Sequence, residues 1–144
     1  MTAYDENNIF ARILRGELPS ARIFETDDVV AFMDVMPQSK GHCLVVPKAP
    51  SRNVLDASDA TLSSLLPAVA RLARAAKRAF DADGVTISQF NEAPAGQTVF
   101  HLHVHVIPRY EGEPLISHAG VMADPNLLAE QAARIRASLD QDGG

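Results

Sequence analysis

The chain has 144 residues, 47% of them hydrophobic and 22% charged, with a formal net charge of -5. That length suits one domain spanning 1–144 with its own core, and the composition is that of a globular protein, not a disordered one. The negative balance gives no electrostatic reason to expect a nucleic-acid polymer or an anionic membrane as partner.

In chain order, Ile9 to Arg15 has helical spacing of its apolar residues and a glycine stop at Gly16. "ARIFET" and "VVAFMD" read as two strands split by the polar turn Thr26-Asp27-Asp28, and "HCLVVP" as a third that Pro47 closes. Ser58 caps a long helix from Asp59 to Phe80, with Leu62, Leu65, Leu66, Val69, Leu72, Ala73 and Ala76 as its apolar stripe. Pro67 should kink it or mark a late start, and Arg71, Arg74, Lys77 and Arg78 form a solvated opposite side. "GVTISQFN" is a fourth strand, "TVFHLHVHVIP" a fifth, and Pro125 opens a last helix. Residues 1–7 and 140–144 are expected to fray. Two substantial helices and five strands, mostly joined without helical crossovers, predict an α+β fold with an antiparallel sheet. The lone Cys43 cannot close an internal disulfide. Neither a signal peptide nor an apolar run of about 18 residues is seen. A cytoplasmic location is the expectation.

Three of the five histidines, His101, His103 and His105, occupy every second position of one run. On a helix, positions i, i+2 and i+4 fall at about 0°, 200° and 40°, which would scatter them. On a strand, all three imidazoles share one face and Leu102, Val104 and Val106 the other. Such a face has three uses: plain hydrogen bonding, metal binding, or covalent catalysis. The outer pair is about 13 Å apart on a strand, whereas zinc needs each nitrogen within about 2.1 Å; with no Cys-x-x-Cys to complete a site, no metal is expected. Neutral imidazole, with a pKa near ~6.5, is a good nucleophile once one nitrogen is held by an acceptor. Flanking imidazoles then donate to an anionic centre, which suits a phosphoryl group. Gly96, Gln97 and Thr98 add a flexible turn, an amide donor and a hydroxyl donor, although alone they read as a turn entering a strand.

"QTVFHLHVHVIPR" resembles the His-φ-His-φ-His-φ-φ motif (φ hydrophobic) of the histidine-triad (HIT) superfamily. "NIFARILRGELPSARIFETDDVVAFMDVMPQSKGHCLVVPK" resembles the N-terminal half of its nucleotide-binding, Hint-like branch, so the likeness covers most of residues 8–110. The resemblance implies a five-stranded antiparallel sheet, a homodimer with one continuous ten-stranded sheet, and no cofactor. It implies hydrolysis at the α-phosphate of purine nucleotide (AMP or GMP) phosphoramidates or esters through a nucleotidyl-histidine. His103 would be the nucleophile, His105 lie close to the phosphate, His101 fix the nucleophile's orientation, and His42 be a fourth active-site histidine. Gln97 and Thr98, with Asn91 and Gly96, would contact the phosphate. Asp34 would hold the ribose hydroxyls, and Phe10, Ile13, Leu18 and Val35 the base. Without the resemblance, His42 reads as structural, Asp34 as a turn residue and the four apolar residues as core. His105 stands where nucleotide-transferring relatives carry glutamine, which favours hydrolysis. Asn8 to Ala11 replaces the Cys-x-x-Cys of many bacterial members, so their zinc site is not expected. The alternatives are a diadenosine polyphosphate hydrolase of the same superfamily, or a nucleotide-binding scaffold with little turnover.

Overall fold

A computed structural model describes residues 4–116 and 121–139. Helix α1 (Ile9–Leu14) opens where the Asn8 side chain accepts the Ala11 N–H, and it ends before Gly16, whose φ of 79° continues no helix. Strands β1 (Arg22–Glu25) and β2 (Val29–Met33) form a hairpin whose turn is fixed by the Thr26 hydroxyl accepting the N–H groups of Asp28 and Val29. Then come β3 (Cys43–Pro47), α2 (Asp59–Ala79), β4 (Gly84–Ser88), a 3-10 turn (Ala93–Ala95), β5 (Val104–Arg109) and α3 (Pro125–Leu139). The sheet order is β1-β2-β3-β5-β4 with every neighbouring pair antiparallel, an α+β architecture.

Strand alternation divides the sheet into two unlike faces. Cys43, Val45, Val104 and Val106 point toward α2 and α3, where Leu65, Val69, Leu72, Leu128 and Ile135 complete the larger core. Each valine, leucine or isoleucine among them contributes roughly 1.5–3 kcal/mol when fully buried. On the other face α1 lays Phe10 and Ile13 over Val30, Phe32, Leu44 and Val46. That six-residue helix covers the β2 and β3 part of its face, and a cleft opens beside it over β5. His105, paired with Leu44 across the β3–β5 ladder, shares that face.

Several sequence expectations need correction. The fifth strand starts at Val104, not Thr98, so of the three imidazoles only His105 lies on the ladder. Continuing the register from Val45↔Val104 would set Leu102 against Pro47, which has no N–H to donate. The Pro47 carbonyl bonds the His101 ring instead, and the Leu102 N–H goes to the Ser51 carbonyl. Leu102 still enters the core, so alternation of burial outlasts the ladder. The fourth strand stops at Ser88, and Gln89 and Asn91 bond each other's side chains.

Pro67 lies inside the helix that runs over Asp59–Ala79; it is exposed, as is Ser63, whose carbonyl loses the N–H of residue 67 as a donor. Leu66 is 66% exposed, outside the apolar stripe, and Ala75 is buried in it. Arg71 lays its guanidinium over the Phe24 ring, and Arg78 docks α3 by bonding Ser138, so this flank is not simply solvated. Tyr4 is held by a histidine 97 residues away, so residues 4–7 do not all fray, while 140–144 lie outside the described residues.

Candidate active site

Gly41 delivers His42 to the site. Its φ is +91°, and a Cβ there would lie 2.6 Å from the Phe80 ring, so only glycine fits the approach. The fully buried His42 accepts the Gln38 main-chain N–H on Nδ1 at 3.0 Å. A main-chain N–H can only donate, so neutral His42 carries its proton on Nε2. That nitrogen is 2.9 Å from His105 Nδ1 and 3.4 Å from Asp34 Oδ2. His105 therefore accepts on Nδ1 and carries its own proton on Nε2. Asp34 is anchored through Oδ1 by the Met36 N–H, and its Oδ2 is 3.9 Å from His105 Nδ1.

The second pair is built the same way. His101 is fully buried; its Nε2–H donates to the Pro47 carbonyl at 2.8 Å, and its Nδ1 accepts the Tyr4 hydroxyl at 2.5 Å. Burial lowers its pKa and favours the neutral ring, against a raising contribution from the Pro47 hydrogen bond. The His101 carbonyl in turn accepts Nδ1–H of His103 at 2.7 Å, which makes Nε2 the unprotonated nitrogen of His103. Three main-chain groups with one possible role each thus set the tautomers of four imidazoles.

His103 and His105, with ring centroids 5.0 Å apart, line two adjoining lobes of the cleft. His42 and His101 stand behind them, outside the lining of either lobe. One lobe, of about 390 Å³, brings together Phe10, Ile13, Leu18, Val35 and Asp34. The other, of about 460 Å³, is lined by Gly96, Thr98 and Phe90. A hollow of about 660 Å³ elsewhere, near Lys40 and Tyr110, has no histidine among the described residues of its wall.

Two expected phosphate contacts are not placed to make them. Gln97 is 3% exposed and turned inward: its amide donates to the carbonyls of Arg52 and Val99, and its oxygen accepts from Glu92 N and Asn53 Nδ2. Both amide protons are therefore spent on main-chain carbonyls, and Gln97 serves as the frame of the loop that ends in Thr98. Asn91 lines neither lobe; its side chain joins Gln89 to the Val54 N–H. Gly96 and Thr98 do reach the cleft. Gly96 has a φ of +107°, and a Cβ there would lie 3.4 Å from the Phe90 ring.

A HIT domain model matches residues 15–112. Protein hit of Bacillus subtilis is 42% identical over 105 residues, 73% of this chain and 72% of that protein. The chain belongs to the HIT family. Among solved structures, a Hit-like protein involved in cell-cycle regulation from Bartonella henselae superposes with a TM-score of 0.89 at 54% identity, over 94% of this chain and 99% of that one. A Zn-bound histidine triad family protein from Mycobacterium smegmatis gives 0.84 at 33% identity, over 95% and 96%. The HIT family is a superfamily of nucleotide-binding hydrolases.

In this HIT protein, Asp34, His42 and His105 each offer a ligand atom, all within 4.8 Å of one another, a spacing that one cation could bridge. The donor set does not fit. His42 Nδ1 already accepts a hydrogen bond from the Gln38 main-chain N–H, so the proton of the neutral ring occupies Nε2, the atom that would have to bind.

Sequence reasoning missed Tyr4, Gln38 and the trio Arg52, Asn53 and Glu92 that braces the loop. Arg52 grips the Glu92 carboxylate at 2.8 and 2.9 Å, and Asn53 adds a third bond at 2.6 Å. Those bonds, that of Arg52 first, hold the Glu92 carboxyl below its usual range. Gln38 acts through its backbone and Tyr4 across 97 residues, so neither leaves a local pattern. The positive φ of 75° at Glu92 has no sequence signature, because the residue is not glycine.

Proposed function

We propose that the protein hydrolyses purine nucleoside phosphoramidates or related esters by attack of His103 on the α-phosphorus. The observation that carries this reading is the 2.7 Å bond from His103 Nδ1–H to the His101 carbonyl, which makes Nε2 the attacking atom. Bond formation between Nε2 and phosphorus expels the amine, which leaves with a proton taken from water. The nucleotidyl-imidazole is cationic, and the His101 carbonyl, already at its Nδ1–H, stabilises that charge. His105 Nε2–H and the Thr98 hydroxyl are the donors offered to the phosphoryl oxygens. Water then attacks phosphorus, the P–N bond to His103 breaks, and the ring recovers its lone pair as the proton leaves with solvent.

The apolar lobe bounded by Phe10, Ile13, Leu18 and Val35 suits a base, with Asp34 at its margin for the ribose hydroxyls. A second copy of the chain is the expected assembly: β4 is an edge strand of the sheet and Ile87 on it is 49% exposed. The test compares wild type with His103→Asn on an adenosine phosphoramidate and on diadenosine polyphosphates. Phosphoramidate turnover lost in the mutant is the expected result. Preference for the dinucleotide moves the substrate class but keeps the mechanism, and nucleotide binding with no turnover of either overturns the hydrolase reading.

A further inference from the structure

We infer that Tyr4 is a positioning residue for the nucleophile, acting through His101. The inference rests on the assignment of His103 as nucleophile. The segment from His101 to His103 precedes the β5 ladder, so no strand pairing fixes it. Its polar anchors are specific bonds: Leu102 N–H to the Ser51 carbonyl, the His101 ring to the Pro47 carbonyl, and the Tyr4 hydroxyl to His101 Nδ1. With both nitrogens bonded, the His101 ring cannot rotate about its own axis without losing two bonds at once. A ring so fixed holds its own main chain, and that main chain presents the carbonyl that keeps the His103 proton on Nδ1.

Tyr4 meets the His101 ring edge-on, with centroids 5.6 Å apart, and lines neither lobe of the cleft. It reaches the reacting atom only through this relay. Removing its hydroxyl leaves Nδ1 of a fully buried imidazole without its donor, a loss that the neighbourhood relieves by letting the ring and its backbone shift.

The experiment compares Tyr4→Phe, which keeps the ring and removes the hydroxyl, with Tyr4→Ala, alongside His103→Asn as the reference for lost chemistry. Tyr4→Phe should lower kcat roughly tenfold, the scale of one lost buried hydrogen bond, with KM unchanged and with most of the Tyr4→Ala loss reproduced. Imidazole nitrogen NMR supplies a readout independent of turnover. Wild-type His103 should show a single Nδ1–H tautomer, and Tyr4→Phe should shift the His101 nitrogens and mix the tautomers of His103. Wild-type kcat in Tyr4→Phe overturns the inference, and so does a loss that vanishes once activity is corrected for the folded fraction. If wild type hydrolyses no nucleotide, the reading of function fails, and the spectra alone decide whether Tyr4 positions His103: unchanged His103 nitrogens in Tyr4→Phe overturn that relay, and mixed His103 tautomers support it.

Discussion

His105 and His103 are two residues apart and line the same cleft, yet they are held in opposite ways. His105 lies on a central strand, with Leu44 opposite on one side and Ser88 on the other. Its position is shared among many ladder bonds. His103 lies before the first rung and depends on a few separate contacts, the His101 carbonyl foremost. A ladder averages small errors over its length. A string of single bonds offers finer placement of one atom, and each bond is individually removable.

The largest expected contrast is chemical. His103→Asn should cut kcat at least about a thousandfold, as loss of a nucleophile does, whereas His105→Asn should cost on the order of a hundredfold, as loss of one charge-stabilising donor does. Steady-state kinetics on an adenosine phosphoramidate would separate the two, and equal losses would break the distinction between attacking and supporting imidazole. Next comes the loop that leads into His103. Gln97→Leu abandons four hydrogen bonds and leaves buried partners unpaired, so urea unfolding should show a loss of about 1–3 kcal/mol. Ser88→Ala on the ladder side should stay within about 0.5 kcal/mol, as changes away from such networks usually do.

The smallest effect is on pH dependence. Burial lowers the His101 pKa from its ordinary 6.5, so the unfolded chain takes up that proton first. The resulting stability is fully present above about pH 6.5 and is lost as pH falls toward the folded-state value. Denaturant midpoints between pH 7.5 and 5.5 should therefore fall less in His101→Asn than in wild type. An equal slope would mean that this ring is not held neutral.

Much of the fold is legible in the sequence because it rests on periodicity. Alternation locates the strands, including the opposite orientation of Leu44 and Val45, and the Ser58 cap locates α2. The alternation of His101, Leu102 and His103 is real in burial but does not amount to pairing, since whether a rung forms depends on the partner strand and here on Pro47. The candidate site is legible in its residue types and less so in its directions. Gln97 carries the right chemistry for a phosphate donor, but its amide is turned inward by Arg52, Val99, Glu92 and Asn53, contacts from three separate stretches that no single window contains. Tyr4 reads as part of a fraying end because its partner is remote.

The main-chain origin of the proton pattern reaches beyond the reaction itself. The Gln38 N–H and the carbonyls of Pro47 and His101 belong to the backbone, and no side-chain exchange at those positions deletes them, proline at 38 excepted. Residues in the cleft wall such as Ile13, Leu18 and Val35 can therefore change without disturbing which nitrogen bears a proton. A lineage built on this plan can wander among leaving groups and bases while its central chemistry is inherited intact, and a designer can vary the wall on the same terms.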